Sequence, residues 1–513
     1  MKLDRTSMLY GTLLLTGTGI LAQALGFLYR ICLSRLIGAE VMGLYQLVMP
    51  VYSVLLSVTA VGLTAAVSNL SAFYSARGEL ASVAALLRRC LALFLALFAL
   101  AAAVVIPFSD PISVYLLGDA RTRLGLVLLL PCVLLTGVEN LHKHYFYGTG
   151  NIRPPAAVEL CEQFIRAGAV LGLLVLFLPQ TPERTVGLIV LGMTACEVFS
   201  ALTLLVLARR SLAGAAGRSR QAPDRRQLTR KAVSMALPVG LTSLLGNLMG
   251  AATSVLIPQQ LVRAGAEVGA AMSAFGVLCG MTLPMLSLPT AFIGALGLTL
   301  VPRLAQAAAL GQREVVRRRL DRALQAVSAL VLPAMALLTA LGPALGRLLF
   351  REPTAGDHLP LLAAGVALSC WQAVLSGALN GLGRQRTAAR NALLSAVAEL
   401  GGTWFLMSLP GVGLAGYAAA FALSGGLGAW LNWRAVKNAA GLRARPFPWL
   451  IAPGLAAGLA GLAAHVLFRA LTLRWGLGDP AALGASAALG AVLYLAALQA
   501  QGAWPLQAGR TRS

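Results

Sequence analysis

Fourteen stretches of this sequence stay apolar for about 18 to 25 residues at a time, and that pattern decides the fold class before any single residue is considered. They lie near 9–36, 41–69, 88–107, 123–141, 156–178, 186–208, 232–257, 268–301, 323–341, 359–379, 392–408, 413–432, 449–468 and 481–498. Each is long enough to cross the hydrocarbon core of a bilayer as a helix, where no water is present to bond unpaired backbone groups. A membrane barrel would alternate apolar and polar residues at every second position, and these runs do not. With 58% hydrophobic and 12% charged residues among 513, a water-soluble fold could not bury so much apolar surface. The expected fold is an all-α membrane protein of about 14 transmembrane helices. It leaves no room for a soluble catalytic domain, so a transporter is expected and not an enzyme. The stretch 268–301 contains Pro284, Pro289, Gly294 and Gly297 and is expected to be kinked or broken. Ala22-x-Ala24 has the small residues of a signal-peptide cleavage site, but the apolar run continues past it and reads as a span.

Charge placement orients these spans. The chain has 41 Lys and Arg against 18 Asp and Glu, a net charge of +23. With both termini in the cytoplasm, roughly three quarters of the basic residues fall on that side, as the positive-inside rule requires. The outer loops are then near neutral. A basic face opposite anionic membrane lipid accounts for the charge without a nucleic-acid partner. The expected location is the bacterial cytoplasmic membrane.

The sequence also repeats itself. Gly148-x-Gly150-x-x-Arg153 recurs as Gly381-x-Gly383-x-x-Arg386, a displacement of 233. Gly62-Leu63-Thr64 answers Gly297-Leu298-Thr299, and the loop at Gly78-Glu79 answers the loop at Gly311–Glu314. We therefore expect two six-helix lobes, 1–208 and 232–432, joined by a cytoplasmic polybasic linker at 209–231. A cytoplasmic loop at 433–448 then leads to two C-terminal helices and a tail in 449–513. Six is an even number, so both copies enter the membrane from the same side, as a parallel repeat with a pseudo-twofold axis along the membrane normal. Lobes of this kind can rock to open a central cavity to each side in turn.

No cofactor motif is present: there is no Walker loop, dinucleotide fingerprint, nucleophile elbow or H-E-x-x-H. Transport must then draw on a gradient, the membrane potential or mass action. The seven cysteines stand singly in apolar runs and read as small buried hydrophobes, not as disulfides or metal ligands. His142 and His144 flank Lys143 in an expected cytoplasmic loop, where a His-x-His without a third ligand reads as solvated.

Ionisable groups inside spanning helices are costly and usually face the bundle interior, which makes them the first candidates for function. Glu159, Glu162 and Arg166 are three and four residues apart and share one helical face. Shifting Arg166 by 233 gives Glu399, so the halves carry opposite charges at equivalent positions. Arg30 lies deeper in the first helix than Arg35, which is placed to snorkel to the interface. Glu162 with Arg166 also reads as a neutralising pair that locks packing. Glu139 and Glu159 are expected near the cytoplasmic boundary, and Glu197 is given no role. The planar guanidinium fork suits phosphate oxygens, so Arg30, Arg35 and Arg166 are the candidate substrate-binding residues. Glu162, Glu399 and Glu159 are the candidate cavity or coupling residues.

The segment Gly26-Phe27-Leu28-Tyr29-Arg30-Ile31-Cys32-Leu33-Ser34-Arg35-Leu36-Ile37-Gly38-Ala39-Glu40, running into Met42-Gly43-Leu44-Tyr45-Gln46 and Pro50, resembles the start of the stage V sporulation protein B family. Glu162-Gln163 followed by Arg166 is similar to the same group. It lies in the oligosaccharide-flippase branch of the multidrug/oligosaccharidyl-lipid/polysaccharide exporter superfamily, which also holds the MurJ-type lipid II flippases. The resemblance implies an alternating-access flippase for an undecaprenyl-pyrophosphate glycan, working in an endospore-forming bacterium alongside the cell-wall synthesis machinery. MurJ-type members carry an Arg-Asp pair where this chain has Tyr29-Arg30, while Arg35 matches the family's second arginine. A cation-coupled multidrug exporter on the same fold is the alternative, with Glu162 and Glu399 as its coupling groups.

Overall fold

The structure is a computed structural model that describes residues 8–213 and 225–501. The middle of the expected linker, at 214–224, lies outside the described residues, as do Lys2, Arg5, Arg218, Arg220, Arg510 and Arg512. Among the described residues every regular element is helical.

Among the described residues twelve helical segments are long and apolar enough to cross a membrane. The first, Gly17–Ala76, has 60 residues, about 90 Å at 1.5 Å per residue and three times the hydrocarbon core. It is two spans: α1 (Met8–Leu56) breaks at Gly38, whose φ of 76° and ψ of 177° lie outside helical geometry. A π-helical turn at Ser57–Val61 then leads into α2 (Gly62–Ala76). α3 (Leu80–Val105), α4 (Arg123–Gly148), α5 (Arg153–Phe177) and α6 (Pro182–Ala213) follow. Pro154 and Pro155 sit in the first turn of α5, where a missing N–H costs nothing. α7 (Arg225–Arg263) and α8 (Val268–Val277) come next. The stretch expected to break does so, through a π turn at Leu278–Thr282, a short helix at Leu283–Ser287 and a 3₁₀ turn at Leu288–Thr290, before α9 (Ala291–Ala309). The chain ends with α10 (Arg313–Phe350), α11 (Leu359–Gly381), α12 (Gln385–Met407), α13 (Leu414–Ala440), α14 (Ala452–Leu473) and α15 (Asp479–Ala500). α12 is less apolar than the twelve, carrying Arg386, Arg390 and Glu399, yet its 23 residues suffice for a span.

The chain divides into two compact units, up to Val255 and from Leu256. The division falls within α7, not at the expected linker. Leu228, Ala232 and Ala236 at the start of α7 join the apolar core of the first unit with Phe94, Leu141, Tyr145, Phe146 and Leu204, which fixes the first half of that helix there. In the same unit Arg121 bonds Glu40 at 2.6 Å and Asp119 at 2.7 Å, tying the start of the second span to the Ala120–Thr122 turn. In the second unit α14 and α15 pack on each other and on α10, where the Tyr494 hydroxyl donates to the Ala329 carbonyl at 2.9 Å.

The internal repeat extends to the backbone. Gly78 and Gly311, Gly150 and Gly383, and Gly118 and Arg351 are pairs 233 apart, and all six adopt the left-handed conformation. Asp119 and Glu352, another such pair, each accept a bond from the backbone N–H two residues on. A side chain at Gly148 would strike the Ser68 carbonyl, and one at Gly381 would lie 2.9 Å from the Val301 carbonyl, again 233 residues on. Cys32 and Cys161 are exposed; Cys90, Cys132, Cys196 and Cys370 are buried, and all seven thiols are free.

Candidate functional site

Three neighbouring helices of the first unit bring their charges together. α4 supplies Glu139 and Lys143, four apart and therefore on one face; α5 supplies Glu159, Glu162 and Arg166; α6 supplies Glu197. The Lys143 ammonium lies 3.5 Å from Glu139 and 3.6 Å from Glu159. The Arg166 guanidinium bonds Glu162 and reaches Glu197 Oε1 at 3.4 Å. Glu139, Glu162 and Glu197 are only 3%, 6% and 2% exposed, and one carboxylate oxygen from each lies within 4.8 Å of the others. The Cys196 thiol donates to the Glu162 carbonyl at 3.3 Å, fixing α6 against α5 at this level.

Four carboxylates thus face two cations. Surplus negative charge in a membrane interior is strongly disfavoured, so the cluster draws in positive charge, either protons or a cation. Glu197 Oε2 is buried and has no hydrogen-bond partner among the described residues, which leaves a ligand oxygen to spare. The three clustered carboxylates are close enough together to hold one cation.

The other candidates sit differently. Arg30 on α1 is half-buried, and α1 packs on α5, where a Cβ added at Gly26 would lie 3.7 Å from the Gln163 amide oxygen, about one turn before Arg30 and Arg166 on their helices. Arg35 is exposed, as a snorkelling position would be. Glu399 on α12 is half-buried and accepts a bond from the Ser424 hydroxyl at 3.3 Å.

Several expectations need correction. Glu139 is not solvated at a boundary but buried in the cluster, and Glu197 is central to it. His142, Lys143 and His144 are not in a loop: α4 continues to Gly148, because the Glu139–Lys143 pair and the two His rings satisfy themselves on the helix. His142 Nδ1 lies 2.7 Å from the Val138 carbonyl and His144 Nδ1 2.8 Å from that of Asn140. The one signal in the sequence for Lys143 was the four-residue spacing from Glu139. Glu197 had no such signal, since its partners lie on other helices.

The sequence profile of the polysaccharide biosynthesis protein family matches residues 8–308, more than half of the chain. The chain belongs to this family. The profile of the lipid II flippase MurJ matches residues 164–479, which places this family member in the flippase branch of the exporter superfamily. Among curated proteins, stage V sporulation protein B of Bacillus subtilis (strain 168) is 26% identical over 418 residues, 81% of each chain. Among solved structures, a lipid II flippase MurJ in an inward closed conformation matches with a TM-score of 0.67 at 13% identity, covering 98% of this chain and 100% of that one. An inward-facing multidrug resistance transporter of the MATE family matches with a TM-score of 0.64 at 16% identity, covering 82% and 94%. This member of the family is a multi-pass membrane protein with the fold those structures share.

Proposed function

We propose that this protein is an alternating-access flippase that moves an undecaprenyl-pyrophosphate-linked glycan, a peptidoglycan or oligosaccharide precursor, across the cytoplasmic membrane, with both termini inside. The observation that carries the reading is a pair of half-buried arginines, Arg30 on α1 and Arg166 on α5, on helices that pack together in a chain of the flippase families. Arg166 is partly neutralised by Glu162 and Glu197, so Arg30 is the principal contact for the pyrophosphate and Arg166 its supporting charge. Arg35 meets the anionic headgroup nearer the interface. The Glu139, Glu162 and Glu197 cluster binds the coupling cation, and Glu159 with Lys143 sets its charge balance. The sporulation protein among the relatives supports a role in spore-cortex synthesis, beside the cell-wall synthesis machinery.

In proteoliposomes carrying a fluorescent polyprenyl-pyrophosphate glycan, Arg30→Ala is expected to abolish flipping while the protein still inserts and stays monodisperse. Undiminished flipping removes Arg30 from the site. The acid surplus and the MATE-like fold favour a second reading, cation-coupled export of small molecules, with Glu162 and Glu399 as coupling groups. Uptake of organic cations into the same vesicles along an imposed Na⁺ or H⁺ gradient, without glycan flipping, would select that reading.

A further inference from the structure

A second built site lies on the basic end of the first unit, between α3 and the start of α7. A cavity of about 490 Å³ is lined by Ala85, Arg88, Arg89, Ala92, Leu93 and Thr229. The Arg89 guanidinium crosses from α3 to donate to the Thr229 hydroxyl at 2.9 Å, while Arg88 beside it is exposed. Among the described residues no carboxylate lines this cavity. Leu93 also lines a second, neighbouring cleft of about 370 Å³ that is almost wholly apolar and runs along Leu97, Val233, Leu237 and Leu241. Two of these side chains are well exposed, Leu237 at 68% and Leu241 at 54%. The floor of the cleft is the π turn at Ser57–Val61, with Gly62 and Gly240 keeping it shallow.

The combined shape is a cationic mouth over an apolar trough. Thr229 to Leu241 on α7 spans about 18 Å at 1.5 Å per residue, close to the depth of one leaflet. Two guanidiniums and a hydroxyl suit phosphate oxygens, and no acid among the described lining residues is there to receive the amine of a zwitterionic headgroup. We infer that this cleft holds one anionic phospholipid of the leaflet on the basic side, its phosphate against Arg88, Arg89 and Thr229 and one acyl chain passing Leu93 into the trough. The bound lipid fills the gap beside α7 and braces that helix on the first unit. No lining residue belongs to the glutamate cluster, so the site stands apart from the proposed transport chemistry.

The test uses the full chain in nanodiscs with phosphatidylglycerol or phosphatidylcholine carrying a photoactivatable diazirine in one acyl chain, and maps the crosslinked peptides by mass spectrometry. Phosphatidylglycerol is expected to label the 93–97 and 233–241 segments preferentially. The double variant R88Q/R89Q is expected to reduce that labelling about tenfold, to the phosphatidylcholine level. Leu237→Trp, which fills the trough but keeps both arginines, should lower it as well, and labelling elsewhere on the chain reports that each variant is folded. Unchanged labelling in the double variant, equal labelling by the two lipids, or labelling spread evenly over all helices would each overturn the assignment.

Discussion

At positions 139, 162 and 166 the first half of the chain has Glu, Glu and Arg; 233 residues on, at 372, 395 and 399, the second half has Gln, Ser and Glu. The backbone at these levels is repeated, down to left-handed turns at matching positions. The chemistry is not. In the second half the helices are joined by neutral bonds: Asn391 to Asn432 at 2.9 Å, Ser395 to the Ser424 carbonyl at 2.7 Å and Asn432 to the Gln372 carbonyl at 3.2 Å. In the first half the counterparts of Gln372 and Ser395, Glu139 and Glu162, stand in ion pairs with Lys143 and Arg166. Buried ion pairs add little stability over neutral groups once desolvation is counted. The two halves thus hold their helices together with different chemistry on a repeated backbone, and under the function proposed above the charges of the first half handle ions or substrate.

That contrast can be broken or sharpened by paired substitutions. Arg166→Leu leaves the Glu162 and Glu197 carboxylates uncompensated and should destabilise the protein by about 3–5 kcal/mol, whereas its counterpart Glu399→Leu loses one hydroxyl bond and about 1 kcal/mol. Thermal denaturation in detergent decides; equal losses would mean that the two halves use their charges alike. Next in size is the response to the coupling cation. A ligand held by the native state at about a hundred times its Kd adds about 2.7 kcal/mol, so the melting temperature should climb with that cation. Glu197→Gln should flatten the response and Glu399→Gln should leave it intact, a difference read by titrating Na⁺ and H⁺ separately.

Smaller effects probe the shared backbone. Gly148→Ala drives a methyl group into the Ser68 carbonyl and should cost about 1–3 kcal/mol; Gly381→Ala, with 2.9 Å to the Val301 carbonyl, should cost less. The smallest expected change is a mirror pair at a left-handed position. Arg351→Gly should gain about 1 kcal/mol by relieving a φ of 59°, and Gly118→Arg should lose a similar amount. Chemical denaturation of both resolves the sign.

The spans were legible because run length alone separates a membrane helix from a strand, and the break near Pro284 and Pro289 followed from residues that cannot continue a helix. The repeat was legible because glycine recurs at most of the left-handed turns and close approaches that call for it, at 78 and 311, 150 and 383, and 148 and 381, with Arg351 opposite Gly118 as an exception. Arg166 with Glu162 could be paired from their spacing within α5. Glu139 with Lys143 has the same four-residue spacing, but that this pair and Glu197 gather around α5 could not be read, because linear separation carries no record of which helix faces oppose one another. α4 was read too short for a related reason: the apolar run stops near 141, but hydrogen bonds from His142 and His144 to the turn before them carry the helix on.

The two exposed cysteines give the protein natural handles. Cys32 follows Arg30 by two residues, and Cys161 adjoins Glu162. A thiol surrounded by hydrocarbon does not ionise and resists a water-soluble maleimide, while one reached by water reacts readily. The unaltered chain can therefore report, through how many labels it accepts with and without cargo, when the faces beside those two residues become wetted.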